Sequence, residues 1–156
     1  MEEKNEFMQR AIDLSDESVK TGGGPFGAVI VKAGKIIAEA SNSVTKENDP
    51  TGHAEINAIR KAASLLKDFD LEGCEIYSSC EPCPMCLGAI YWAHLDRLYF
   101  ANTQADAAEI GFDDQFIYEE IEKPFVQRKL KTAQLMRDKA LKVFSNWKNF
   151  EEKIEY

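Results

Sequence analysis

The segment CEIYSSCEPCPMCLGAIYWAHLDRLYFAN, residues 74–102, is the clearest indication of the fold of this chain. It opens with a strand-like run at 74–79, continues through closely spaced cysteines into an apolar stretch at 84–94, and closes with a second strand-like run at 96–102. Pro84 suits the first position of a helix. The segment therefore predicts a strand, a helix and a parallel strand, with functional side chains where a strand ends and a helix begins.

The rest of the chain extends this α/β pattern in both directions. Apolar residues at three- and four-residue spacing predict an amphipathic helix over 4–21, and two β-branched runs around Ala33 and Gly34 predict a hairpin. Pro50 precedes a helix expected over 53–67. Toward the C-terminus we expect a helix in DDQFIYEEIEK, an extended FVQRKL segment and a last helix near 134–150.

We expect a three-layer α/β fold, with a central mixed sheet of about five strands flanked by helices. The chain has 156 residues, of which 44% are hydrophobic and 29% charged, and this length and balance suit one globular domain. The pattern shows no linker, so residues 1–156 are predicted to form a single domain.

The formal charge of −8 disfavours a nucleic-acid-binding protein, which relies on Lys and Arg to neutralise phosphates. Residues 123–148 differ from the rest, because they contain eight Lys or Arg and one acid, Asp138. This segment is interpreted as a solvated face that attracts the acidic body or a partner subunit. An RNA-contacting stripe is the alternative.

The ends and the cysteines of the sequence indicate the cellular compartment. The acidic, amphipathic start MEEKNEFMQR does not resemble a secretory signal, and no apolar run approaches the length of about 20 residues that spans a bilayer. We therefore expect a cytoplasmic protein that does not bind membranes. Three of its four cysteines lie in SSCEPCPMC, too close together to join distant segments, and this favours metal or redox chemistry over disulfides.

Cys80, Cys83, Cys86 and His53 are the candidate metal ligands. Four ligands would make a closed structural zinc site, whereas three leave a position open for water. Cys83 and Cys86 are expected at the start of a helix, where the dipole favours thiolates, while Cys80 ends a strand. We favour one Zn²⁺ per subunit on His53, Cys83 and Cys86, and Cys80 as a fourth ligand remains the alternative.

Glu55 follows His53 by two positions, which places the two side chains about 200° apart in the middle of a helix. They can converge on one metal only if it lies at the helix end, with His53 in or before the first turn. A carboxylate beside zinc-bound water can accept its proton and pass it on. Glu55 is therefore predicted to be a proton shuttle rather than a ligand.

The motifs HAE at 53–55 and PCPMC at 82–86 resemble the zinc signature of the cytidine-deaminase-like superfamily. Longer segments resemble the small bacterial guanine deaminases along most of the chain, up to the terminal EY: GGPFGAVIV, NDPTGHAEINAIRKA, SSCEPCPMCLGAIYWA and GFDDQFIYEEIEKP. One departure is Gly52, where alanine is more usual in similar sequences.

This resemblance implies a cytidine-deaminase-like fold and a homodimer whose C-terminal segment is exchanged between subunits. It implies zinc on His53, Cys83 and Cys86, and proton transfer by Glu55. Asp114 would help either with proton transfer or with recognition of the amine. The substrate contacts that it implies are Phe26, Asn42, Ala54, Trp92 and Tyr156. An exchanged segment could bring Tyr156, and also Asp114, to the site of the partner.

The expected reaction is hydrolytic deamination of guanine to xanthine and ammonia. Zinc-bound hydroxide would attack C2 of the base, and Glu55 would deliver protons to the ring nitrogen and the leaving amine. Alternatives within this chemistry are a tRNA adenosine deaminase, which would use the basic 123–148 segment, and a deaminase of another small base or triazine. Two alternatives have a different chemistry: a structural zinc module completed by Cys80, and a thiol oxidoreductase that uses Cys83 and Cys86.

Overall fold

A computed structural model describes residues 2–156. The chain divides into two compact units, one up to Gln115 and one over Phe116–Tyr156, and each is described by itself. The single domain expected over 1–156 stays a prediction. None of the helices in the described part of the chain is long and apolar enough to span a membrane.

The first unit is built on a mixed sheet of four strands in the order β2-β1-β3-β4. β1 is antiparallel to both of its neighbours, whereas β3 and β4 are parallel, as the segment 74–102 predicts. The strands are β1 (Gly27–Lys32), β2 (Lys35–Ser41), β3 (Cys74–Cys80) and β4 (Arg97–Asn102).

The expectation of about five strands is wrong for the described residues. FVQRKL forms a 3₁₀ turn over Phe125–Gln127 and then continues without a strand. Phe125 is 62% exposed and Val126 is 90% exposed, so this segment buries no apolar face of the kind that stabilises a strand.

Helices cover both faces of the sheet and give the three predicted layers. α1 packs on one face, where Leu14 meets Val29 and Tyr77 in a first apolar cluster. α3 and α4 cover the other face, where Ala58 and Ile90 surround Ile76 in a second cluster. The first unit contains α1 (Glu2–Lys20), α2 (Val44–Glu47), α3 (Ala54–Leu66), α4 (Pro84–Trp92) and α5 (Gln104–Glu109), followed by α6 (Gln115–Glu122) and α7 (Arg137–Lys148).

The hairpin between β1 and β2 brings two predicted site residues together at one end of these strands. Gly27 pairs with Ser41, so the chain leaves the sheet at Phe26 and Asn42, which are joined by a 3.0 Å hydrogen bond from the Asn42 amide to the Phe26 carbonyl. At the other end, Ala33 and Gly34 form a tight turn in which both residues have positive φ.

Candidate active site

His53 and Cys83 occupy the same position in two different helices. Each is the N-cap of its helix, α3 or α4, with an extended backbone, and Cys86 follows in the first turn of α4. His53 Nδ1 lies 3.5 Å from both sulfur atoms, and the three candidate ligand atoms lie within 4.8 Å of one another. The predicted meeting of two helix starts is confirmed.

The chemistry of this donor set fits zinc. One imidazole nitrogen and two thiolates are ligands that Zn²⁺ binds, and three protein ligands leave one position of a tetrahedron open. Cys80 does not join the set, because its sulfur faces the Thr103 carbonyl at 3.7 Å. Within residues 2–156, only His53, Cys83 and Cys86 group in this way. They form the zinc-binding site.

The protein groups alone already favour a negative charge at this site. The interaction with the neighbouring Cys86, with a further contribution from His53, lowers the pKa of Cys83 to about 4. The proximity of Cys83 and burial raise the pKa of Cys86, and the hydrogen bond to Cys83 raises the pKa of His53. The lowered pKa of Cys83 favours its thiolate form, which is the form that binds a metal cation.

Glu55 lies in the first turn of α3, behind the ligands, and is only 5% exposed. Its Oε1 accepts a 2.9 Å hydrogen bond from Ser78 on β3, and its Oε2 lies 3.4 Å from the Cys86 sulfur, which donates to it. Burial raises the pKa of this carboxyl group. Glu55 is thus adjacent to the metal ligands without belonging to them, as predicted.

A cavity of about 400 Å³ opens onto this cluster. Its size is within the range of pockets that bind small molecules, roughly 300–1,000 Å³. One wall is aromatic, because Phe26 and Phe112 meet edge to face with their ring centroids 4.9 Å apart. The other lining side chains include Asn42, Val44, Thr45, Pro50, Glu81, Gln104, Ala107 and Asp114.

Phe26, Asn42 and Asp114 therefore line the cavity together with His53 and Glu55. Asn42 is 7% exposed, and its Oδ1 accepts a 3.2 Å hydrogen bond from the Val44 amide. The contacts of these residues with a substrate stay predictions.

The remaining predicted substrate contacts lie elsewhere. Ala54 is fully buried at the start of α3, and Trp92 is 67% exposed at the last residue of α4; neither lines the cavity. Tyr156 belongs to the second unit and is 74% exposed. Their roles also stay predictions.

Sequence reasoning missed several side chains of the cavity, among them Glu81, Gln104 and Phe112. Glu81 and Gln104 follow the carboxyl ends of β3 and β4, which are parallel neighbours. That position is a signal for functional residues in α/β folds and could have identified both. Phe112 has no comparable signal, since it lies in the loop between α5 and α6.

Comparisons with known proteins agree with this geometry. The cytidine and deoxycytidylate deaminase zinc-binding region matches residues 1–102. A guanine deaminase of Bacillus subtilis (strain 168) is 54% identical over 151 residues, which are 96% of this chain and 97% of that protein. The X-ray structure of guanine deaminase from Bacillus subtilis superposes with a TM-score of 0.95 and 54% identity, over 97% of this chain and 98% of that one.

A second activity occurs among the relatives. A tRNA-specific adenosine deaminase of Aquifex aeolicus (strain VF5) is 41% identical over 98 residues, 63% of this chain and 65% of that protein. The matched family region contains every zinc ligand and Glu55. From the ligand geometry, the fold and these matches, the chain belongs to the cytidine and deoxycytidylate deaminase zinc-binding family.

Proposed function

We propose that this protein hydrolyses guanine to xanthine and ammonia, with Glu55 as the proton shuttle. The observation that carries the proposal is the position of Glu55, which is buried beside a three-ligand metal cluster that opens onto a cavity of about 400 Å³. Supporting evidence is the 54% identity, over nearly the whole of both chains, with a protein named guanine deaminase.

His53, Cys83 and Cys86 would hold the zinc ion, which when bound lowers the pKa of water and offers positive charge to a developing oxyanion. As a thiolate ligand, Cys86 would no longer donate its hydrogen bond to Glu55 Oε2. That oxygen can then accept a proton from water and deliver it to the base. Ser78 keeps Oε1 in place during both transfers.

The cavity supplies contacts for a flat purine. Phe26 and Phe112 offer an apolar wall, and Asp114 offers a carboxylate that can accept hydrogen bonds from the exocyclic amine. Asn42 has its Oδ1 bonded to the Val44 amide, so its Nδ2 is the group that can donate to the carbonyl oxygen and ring nitrogen of guanine.

Ammonia release from a panel of substrates tests the proposal. The panel contains guanine, adenine, cytosine, their nucleosides and an adenosine-containing RNA, with the zinc-loaded protein. We expect release from guanine above all others. A Glu55→Gln variant should bind zinc as the native chain does and lose turnover. Near-normal ammonia release by that variant, or no release from guanine by the native protein, would contradict the proposal.

Adenosine in RNA is the second candidate, and the relative from Aquifex aeolicus is the observation that favours it. In that case the basic residues of 123–148, which are exposed apart from the half-buried Lys123 and Arg128, would contact phosphates. RNA deamination that weakens steeply with added salt would support this candidate. Guanine turnover that is insensitive to salt supports the first.

We also propose that the protein is a cytoplasmic homodimer with an exchanged C-terminal segment, in which all 156 residues act as one domain. Support comes from exposed large apolar side chains: Tyr91 and Trp92 on α4, and Phe144 and Trp147 on α7. Sedimentation should give a dimeric mass. In that assembly, removal of Tyr156 alone should reduce guanine turnover without changing the mass, whereas full activity would contradict a role for Tyr156.

A further inference from the structure

Gln104 connects two carboxylates in the wall of the cavity. Its backbone amide donates a 3.0 Å hydrogen bond to Glu81 Oε2, and its side-chain Nε2 donates a 2.8 Å hydrogen bond to Asp114 Oδ1. All three residues line the cavity. A neutral residue with donors at both ends therefore holds two acids that would otherwise repel each other.

Glu81 links this bridge to the metal site. It lies two positions before the ligand Cys83, and its own amide donates a 2.8 Å hydrogen bond to the Asn102 carbonyl at the end of β4. Gln104, the first residue of α5, follows Asn102 closely. The loop that carries Cys83 and the start of α5 are thus fixed to each other through backbone groups.

Asp114 lies at the far end of the same bridge. The loop that carries it is fixed at a second point, because Phe112 meets Phe26 edge to face. With Oδ1 bonded to Gln104, the orientation of the carboxylate is set, and Oδ2 is the oxygen that can accept from a substrate amine.

We propose that Gln104 is a positioning residue that holds Asp114 in the orientation that recognises the amino group of the substrate. The inference rests on the proposed function, since it assigns Asp114 to the amine of guanine. Gln104 acts through Asp114, so removing its donor should weaken binding of an amino-purine and spare a purine without that amine.

Gln104→Glu is the sharpest test, because it keeps the shape and the backbone hydrogen bond to Glu81 but replaces the donor with a third carboxylate. We expect the KM for guanine to rise about tenfold with a smaller change in kcat. The inhibition constant of hypoxanthine, which lacks the 2-amino group, should stay at its native value. Zinc content and melting temperature check that the protein is intact.

Gln9→Glu is a matched control. Gln9 Nε2 donates to Asp13 Oδ1 at 2.8 Å on an exposed face of α1, so the same substitution creates the same like-charge pair outside the cavity. Its KM for guanine should not change. Gln104→Leu, which removes the donor without adding charge, covers the case in which the Glu variant fails to fold.

The last variant combines Gln104→Leu with Asp114→Ala. If Gln104 acts through Asp114, the double variant should have the same KM as Asp114→Ala alone. A KM for guanine that is unchanged in both Gln104 variants, additive effects of the two substitutions, or a parallel rise in the hypoxanthine constant would overturn the inference. Absence of guanine turnover in the native protein would instead remove the proposed function.

Discussion

Ser78 Oγ donates a 2.9 Å hydrogen bond to Glu55 Oε1 between β3 and α3, and both side chains are almost fully buried. The hydrogen bond is long-range in sequence, so it forms only when the strand and the helix pack together. It fixes one oxygen of the carboxyl group and leaves the other beside the metal ligands. A serine of the sheet therefore orients the proposed proton shuttle.

Ser78→Ala should lower kcat for guanine by about tenfold, the effect of losing one hydrogen bond to a group that must be held in place. Zinc content should not change, because none of the ligands depends on Ser78. Ser79→Ala is the control, since the Ser79 hydroxyl accepts from the Gly27 amide and does not contact Glu55. Equal losses of kcat in the two variants would show a general effect on the strand.

The cysteines should separate into ligands and non-ligands. Cys86→Ser should lose most of its zinc, whereas Cys80→Ser should retain one equivalent, because the Cys80 sulfur faces Thr103 rather than the cluster. Metal analysis after dialysis measures both. Cobalt-substituted native protein should show absorption typical of two thiolate ligands. The cobalt-substituted Cys80→Ser variant should show the same spectrum. A three-thiolate spectrum in the native chain would restore the closed four-ligand site.

Gly52→Ala should destabilise the protein. A methyl group at this position would lie 2.7 Å from Ser43 Oγ. That hydroxyl donates to Glu47 and accepts from Asn57, so turning it aside breaks two hydrogen bonds. We expect a loss of about 1 kcal/mol in the free energy of unfolding, measured with urea on zinc-loaded protein.

The Ser43→Ala background tests the cause of that loss. If the hydroxyl is the obstacle, Gly52→Ala should cost less in a chain that already lacks it. A cost that is the same in both backgrounds would assign the effect to the backbone of the 49–52 turn instead.

The hairpin turn offers a stabilising substitution. Ala33 has a φ of 50° in an exposed turn, a conformation that asparagine adopts more readily than alanine. Ala33→Asn should raise the free energy of unfolding by roughly 0.5 kcal/mol. Ala33→Val should lower it, because a β-branched side chain is strained at positive φ. Thermal or urea unfolding of the three chains ranks them, and a more stable Val variant would contradict the assignment.

The metal site was predictable because its signal is local and chemically restrictive. His53 lies just before a helix, Cys83 and Cys86 lie three residues apart around Pro84, and few other arrangements suit those residue types. Whether Cys80 is a fourth ligand could not be predicted, since spacing alone does not determine which way a side chain at the end of a strand points.

Other features depend on contacts that the sequence does not encode locally. α2 and α5 have four and six residues, too short for a periodic pattern, and capping by Thr103 and Asp106 defines α5. The hydrogen bonds of Gln104 to Glu81 and Asp114 could be predicted only if the register between β3 and β4 were known. The expected fifth strand, in contrast, was predicted but does not form. Phe125 and Val126 suit a strand by composition but bury too little surface to stabilise one.

His53 and Cys83 are N-caps that do not use their side chains to cap their own helices. Each side chain instead faces the other across thirty residues of sequence, so a bound ion acts as a reversible cross-link that closes the loop containing α3 and β3. Because an unfolded chain cannot present this ligand set, each increment of free zinc should raise the melting temperature. A bound zinc ion would then stabilise the fold as well as take part in the proposed reaction. Cells short of zinc would lose folded protein along with its activity.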